Sequence, residues 1–241
     1  MSKELTAALP SIGQAPGDLA LVQAFVNTLD IEQSTDELGS AEALASWLAT
    51  AGLLEAGRLA KAAQAHDLEL ALSLREAFRG VLRSHALHTP PSSSRRARAP
   101  GRAESLPDGA TDDSARDLRR IAASLPTRLE VSADGQIRSV PAGSGSQAAL
   151  TRLLLMAAES ATQGTWTRLK ACSADDCQWA FYDRSPTRNG CWCSMQICGS
   201  RAKSRAYRRR ARTSTSARPA TSARPASTTA SRSGRTAVPG A

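Results

Sequence analysis

Apolar residues recur at helical spacing through most of the first two thirds of the chain. After Asp18, the residues Leu19, Val22, Phe25, Val26 and Leu29 follow an i, i+3, i+4 rhythm, which predicts a helix over DLALVQAFVNTLD with Asp18 as its cap. Ser40 precedes AEALASWLATAG, where Leu44, Trp47 and Leu48 share a face and Gly52 supplies a stop. Asp67 opens LELALSLREAFRGVLRSHAL, with Leu70, Leu74, Phe78 and Leu82 in one stripe. Asp117 to Leu125 reads as a further helix, and Ser146 to Gln163 as another carrying Leu150, Leu153, Leu154, Met156 and Ala157. Stripes of this kind are surfaces that helices turn toward a shared core. The rhythm changes only in RLEVSADGQIRSV. There Leu129 and Val131 alternate up to Asp134-Gly135, and Ile137 and Val140 lie beyond it, which predicts a β-hairpin. The expected fold is mainly α with a small β-hairpin, a helical N-terminal domain over 18–164.

Three stretches lack any period. Residues 1–17 read as a flexible N-terminus. Residues 89–113, with PPSSSRRARAP and PDGATDD, read as a disordered insertion. The end, 212–241, is Ala, Ser, Thr, Arg and Pro with TSARPA twice in succession, and reads as a disordered basic tail.

Composition narrows the class. Hydrophobic residues are 41% of the chain and aromatics 4%, with Ala and Leu dominant, which favours helices. No apolar run approaches the roughly 20 residues that span a bilayer, and MSKELTAALP has no signal-peptide core. A cytoplasmic protein without a membrane partner is expected. The net charge of +9 is unevenly spread: from Arg184 onward there are 13 Lys/Arg and no acids, whereas 1–183 holds 18 basic against 22 acidic residues. A mildly acidic body carrying one strongly basic end points to a polyanionic partner for that end.

All five cysteines lie between 172 and 198. A chain in a reducing compartment does not use them as structural disulfides. Two C-x4-C pairs, Cys172/Cys177 and Cys193/Cys198, separated by a 15-residue spacer, fit a tetrahedral Zn2+ held by four thiolates. Such a site is structural, because four thiolates leave no position for an activated water. In so short a segment the metal would supply folding energy on the order of 10 kcal/mol, with Phe181 and Tyr182 packing beside it. Cys191 is two residues from Cys193, so on an extended strand the two face apart and only one meets the metal. The pair His85 and His88 has metal-binding spacing but no accompanying ligands, and reads as polar positions near a helix end.

RLKACSADDCQWAFYDRSPTRNGCWCSMQICGSRAKSRAYRRR resembles the CGNR-type zinc finger of bacterial proteins regarded as stress-induced transcriptional regulators. The resemblance is carried by RLKxC, C-x-W-x-FYDRS, WCSM and CGxRAK. DLALVQAFVNTLD and LSLREAFR echo the domain that precedes such a finger. It covers 18–88 and 115–210, and implies a finger over 165–211 with Cys172, Cys177, Cys193 and Cys198 as ligands. In two places the chain departs from it: Ser200 replaces an Asn of the signature, and Cys191 stands where a basic residue is usual.

GSRAKSRAYRRRAR favours a helix, on which Arg201, Arg205 and Arg208 or Arg209 fall on one side, with Lys203 and Arg210 elsewhere. Such a helix suits double-stranded DNA, its arginines neutralising phosphates or forking to guanine. Arg184 and Arg188 in the spacer are secondary phosphate candidates. The expectation is a non-enzymatic, nucleoid-associated DNA-binding regulator, its body sensing a small-molecule effector or forming a homodimer. The rival is an RNA-binding or protein-interaction zinc module, which base stacking on Trp192 or Tyr207 would suit.

Overall fold

The computed structural model describes residues 13–54, 63–87 and 110–216. Residues 1–12, most of the expected 89–113 insertion with its RRAR cluster, His88 and the TSARPA repeats beyond position 216 lie outside the described residues. The described residues up to Ala206 form one compact unit, and those from Tyr207 to Ser216 belong to a second.

Six α-helices and three small antiparallel strand pairs make up the described residues: α1 (Leu19–Val26), β1 (Leu29–Asp30), β2 (Thr35–Asp36), α2 (Ala41–Thr50), α3 (Ala65–Leu87), α4 (Ala110–Ser124), β3 (Thr127–Val131), β4 (Ile137–Pro141), α5 (Gly145–Thr162), β5 (Leu169–Ala171), β6 (Ala180–Tyr182) and α6 (Ser200–Ser216). The predicted stripes are the core. Val22, Phe25, Leu44, Leu48, Leu74, Phe78, Leu82, Leu150 and Leu153 are all buried together. Phe25 meets Trp47 with ring centroids 5.5 Å apart. Helices α3 and α4 approach closely at Gly80, where an added Cβ would sit 2.0 Å from the Ser114 hydroxyl.

Helix ends follow local chemistry with some departures. Ser40 caps α2 by accepting from the Ala43 N–H at 3.2 Å. Gly52, at φ +71°, ends that helix, its N–H bonding the Ala49 carbonyl. Asp18 makes no side-chain cap bond to α1, contrary to expectation. Asp67 is not the first residue of α3 either. It lies inside the first turn and accepts from the Gln64 N–H at 2.9 Å. Helix α1 stops at Val26, short of the predicted Asp30, because the backbone beyond it pairs as a strand: Leu29 and Asp30 lie opposite Asp36 and Thr35, and the Thr28 carbonyl accepts from the Glu37 N–H at 2.8 Å. Helix α4 begins at Ala110, so the last residues of the expected insertion are helical.

Strands β3 and β4 pair from Thr127↔Pro141 to Val131↔Ile137. The Gly135 N–H bonds the Ser132 carbonyl, with Gly135 at φ +80°, the three-residue form of hairpin turn. The alternation marks the strands correctly but not their orientation. Leu129, Val131 and Ile137 are 72%, 65% and 68% exposed, on one outward face. The opposite face, with Arg128, Arg138 and Val140, borders a groove of about 600 Å³ against Arg152, Met156 and Glu159 of α5.

Candidate metal centre and basic helix

Strand β5 delivers Cys172, whose N–H bonds the Trp179 carbonyl at 2.9 Å. The chain between them folds into a tight knuckle: the N–H groups of Cys177 and Gln178 both bond the Ala174 carbonyl at 3.0 Å, and Gln178 takes a left-handed φ of 52°. β6 then pairs back along β5 with Leu169 opposite Tyr182. The second pair sits on a similar turn. Ser194 caps it, accepting from the Ile197 N–H at 3.3 Å, and the Gly199 N–H bonds the Ser194 carbonyl.

These two turns bring the sulfurs of Cys172, Cys177, Cys193 and Cys198 within 4.8 Å of one another. Cys177 and Cys193 are 3.6 Å apart, and Cys193 and Cys198 3.7 Å. A tetrahedron with metal–sulfur bonds of about 2.3 Å has sulfur–sulfur edges of about 3.8 Å, so the four cysteines are positioned to bind a metal ion. Cys191 is not one of the four; its carbonyl instead accepts from the Ser173 N–H at 2.9 Å. Thiols this close cannot all ionise side by side. Hydrogen bonds from Cys177 and Cys193 draw the Cys172 thiol down to about 2, while burial and then the negative charge of Cys172 push Cys198 up to about 12. A divalent cation at the centre offsets that repulsion.

Trp179, Trp192 and Ala174 pack around the sulfurs. Tyr182, expected beside the metal, belongs to the body's core instead, together with Leu169, Ala171 and Ala180. The finger therefore shares the body's core through β5 and β6 and keeps only a small cluster of its own around the sulfurs. Polar side chains from the helices also fasten it. The Asn27 amide bonds both polar groups of Ala180, accepting from its N–H at 2.7 Å and donating to its carbonyl at 3.0 Å. Gln23 donates to the same carbonyl, and Arg79 to the Gln178 carbonyl at 3.1 Å. His85 contacts the Leu169 carbonyl at 2.9 Å, which gives that histidine a structural role. Residues 13–15, expected within a flexible terminus, are held too: the Tyr182 N–H bonds the Gly13 carbonyl and the Ala15 N–H bonds Gln23.

Inside the finger, Lys170 is 1% exposed. Its ammonium donates to Asp183 Oδ2 at 2.8 Å and to the carbonyls of Arg188 and Gly190 at 2.6 and 3.0 Å. This strut closes the spacer loop that returns the chain to the second cysteine pair. Gln23, Asn27, Arg79, Lys170 and Asp183 are not among the site residues expected from the sequence, although the motifs quoted there contain all five. Gln23 and Asn27 continue the buried face of α1, and Arg79 that of α3. A polar residue in an apolar stripe was the signal available.

The basic candidates are placed unequally. The Arg184 guanidinium donates to the Gln14 carbonyl at 2.8 Å and lies 5.7 Å from the Tyr182 ring centre. Arg188 is exposed, at a left-handed φ of 51°. On α6, Arg201 pairs with Glu32 at 2.7 Å and Arg205 with Asp176 at 3.6 Å. Lys203 is exposed, while Ala202 and Ala206 face inward. In the second unit, Arg208, Arg209 and Arg210 are exposed. No helix among the described residues is long and apolar enough to cross a membrane.

Residues 19–164 match the ABATE family, whose description reads "Putative stress-induced transcription regulator", and residues 168–211 match the CGNR zinc finger. No curated protein sequence matches the chain.

Proposed function

We propose that this chain, which belongs to the ABATE family and carries a CGNR zinc finger, is a transcriptional regulator that binds duplex DNA through α6. The observation that carries the reading is a helix with Arg201, Lys203 and Arg205 on its first turns, rooted directly after the buried Cys198 of a four-cysteine cluster. In this reading Zn2+ is the metal, held by Cys172, Cys177, Cys193 and Cys198, and its role is to fix the start of the helix. Arg201, Lys203 and Arg205 neutralise phosphates, and Arg208, Arg209 and Arg210 add to that attraction. Arg188 is the spacer's contact, because Arg184 is engaged with Gln14 and Tyr182.

The body takes the signal. The groove beside β4 and α5 is the place offered to a small-molecule effector, and the exposed Leu129, Val131 and Ile137 face is where self-association would begin. The protein acts without catalysis, in the cytoplasm at the nucleoid. A polarisation titration of the zinc-loaded chain against a labelled duplex tests the reading. Affinity should fall steeply and linearly in log–log form with salt. No duplex binding at low salt, or stronger binding to RNA at matched salt, rejects it in favour of the RNA or protein-docking alternative.

A further inference from the structure

Between Cys193 and Cys198 the chain turns its apolar side chains outward. Met195 is 56% exposed and Ile197 47%, with Gln196 exposed between them. This is not a loose loop. Its two ends are Cys193 and Cys198, whose sulfurs lie 3.7 Å apart. The Ser194 hydroxyl accepts from the Ile197 N–H, the Ser194 carbonyl from the Gly199 N–H, and the Ser200 hydroxyl donates to the Met195 carbonyl at 3.2 Å. The Met195 side chain passes close over Gly199. A Cβ there would come within 3.0 Å of the thioether sulfur and 3.1 Å of its methyl group, so the thioether lies across the glycine beside Trp192. The Gln196 amide makes no hydrogen bond among the described residues.

Two exposed apolar side chains on a hydrogen-bonded turn gain little from phosphates, while the Gln196 amide can serve a phosphate or a base edge. They suit base edges: glutamine forms a bidentate pair with adenine in the major groove, and apolar groups contact the thymine methyl. The charge around the tip selects the partner. From Arg184 to the end of α6 the chain has no acidic residue, and Arg201, Lys203 and Arg205 follow the tip within three turns; Arg201 and Arg205 meet Glu32 and Asp176, and Lys203 is exposed. A basic field of this kind matches a polyanion, and a nucleic-acid duplex is the polyanion that also offers base edges to read.

We infer that Met195, Gln196 and Ile197 form the base-reading tip of the finger, with Gln196 recognising adenine and Met195 and Ile197 the methyl of a neighbouring thymine. The basic helix behind them supplies affinity, and the tip supplies sequence preference at an A·T step. The inference rests on the proposed duplex binding and assigns its specificity to residues other than the arginines.

The test is selection of bound duplexes from a randomised pool by the full-length, zinc-loaded protein and its variants. Gln196→Ala should lose the preference for adenine at one position by about ten-fold, with the salt dependence of binding unchanged. Gln196→Glu should move that preference toward cytosine, whose amino group a carboxylate accepts; a purely structural residue would not switch preference. Ile197→Ser should weaken thymine selection at the adjacent position. Lys203→Ala, by contrast, should lower binding uniformly across sequences and reduce the salt slope. If wild type binds duplexes with sequence preference and the tip variants select the same sites as strongly, the assignment is wrong while the DNA reading stands. If the variants change only RNA binding or self-association, the tip serves that partner and the assignment is also wrong. Absence of any duplex binding by wild type removes both.

Discussion

Replacing Lys170 by Met removes the strut under the spacer loop and nearly preserves side-chain length. The wild-type ammonium is 1% exposed and makes three hydrogen bonds; its carboxylate partner Asp183 is 5% exposed. In the variant, Asp183 keeps only the N–H groups of Ser185 and Gly190, at 2.9 and 2.8 Å, and the carbonyls of Arg188 and Gly190 lose a donor. Breaking a buried pair by removing one partner costs about 3–5 kcal/mol, more than the pair is worth against an apolar replacement. Lys170→Met should therefore destabilise by about that amount, whereas Lys170→Met with Asp183→Asn should cost clearly less than the two single changes added, by about 2 kcal/mol. Urea unfolding of the zinc-saturated chain, followed by the fluorescence of its four tryptophans, Trp47, Trp166, Trp179 and Trp192, measures all four proteins. A Lys170→Met loss under 1 kcal/mol, or strict additivity, would refute the reasoning. The same pair predicts an acid dependence. Burial would raise the Asp183 carboxyl, but the Lys170 ammonium and the neighbouring donors outweigh it and hold it at about 2. With the folded value below the ordinary value of about 3.9, the stabilisation is complete above pH 4 and is lost as pH falls toward 2.

Asn27→Ala should cost about 1–3 kcal/mol, because it leaves the fully buried Ala180 N–H without its acceptor; Asn27→Asp should be no better, since a carboxylate cannot donate to the Ala180 carbonyl. Denaturant midpoints at equal slope check both. Cys198→Ser should lower zinc stoichiometry and remove duplex binding, whereas Cys191→Ser should leave both unchanged; metal quantification after dialysis separates the two. Glu32→Gln should tighten duplex binding a few-fold at low salt, because it releases Arg201 from a pair that exposure limits to about 1 kcal/mol. Identical binding isotherms for wild type and Glu32→Gln would place Arg201 away from the DNA.

What the sequence revealed was whatever repeats locally. Leu44, Trp47 and Leu48 declare a helix face within two turns, and paired cysteines declare a metal centre by spacing alone. Asp134-Gly135 declares a turn, because only a few residues accept its backbone angles. What stayed hidden depends on partners far along the chain. Asn27 and Ala180 are 153 positions apart, and nothing near either residue indicates the other. Leu29 keeps the helical rhythm of α1 yet lies in β1, because its backbone pairs with Asp36. Period-two alternation identified β3 and β4 without saying which face the body would cover. The basic segment was legible as charge, while the ion pairs of Arg201 and Arg205 with Glu32 and Asp176 were not.

The amide of Asn27 gripping both polar groups of Ala180 bears on anyone who would transplant this zinc finger. Zinc fingers are commonly treated as cartridges, cut at their flanks and spliced onto a new host. Here the cartridge has its latch on another part. An excised 165–211 would retain its cysteines but expose Leu169, Ala171, Ala180 and Tyr182, which the helices cover in the intact chain. A working chimera must therefore import Gln23, Asn27 and Arg79 on helices of matching geometry, so that recipient and insert are redesigned together.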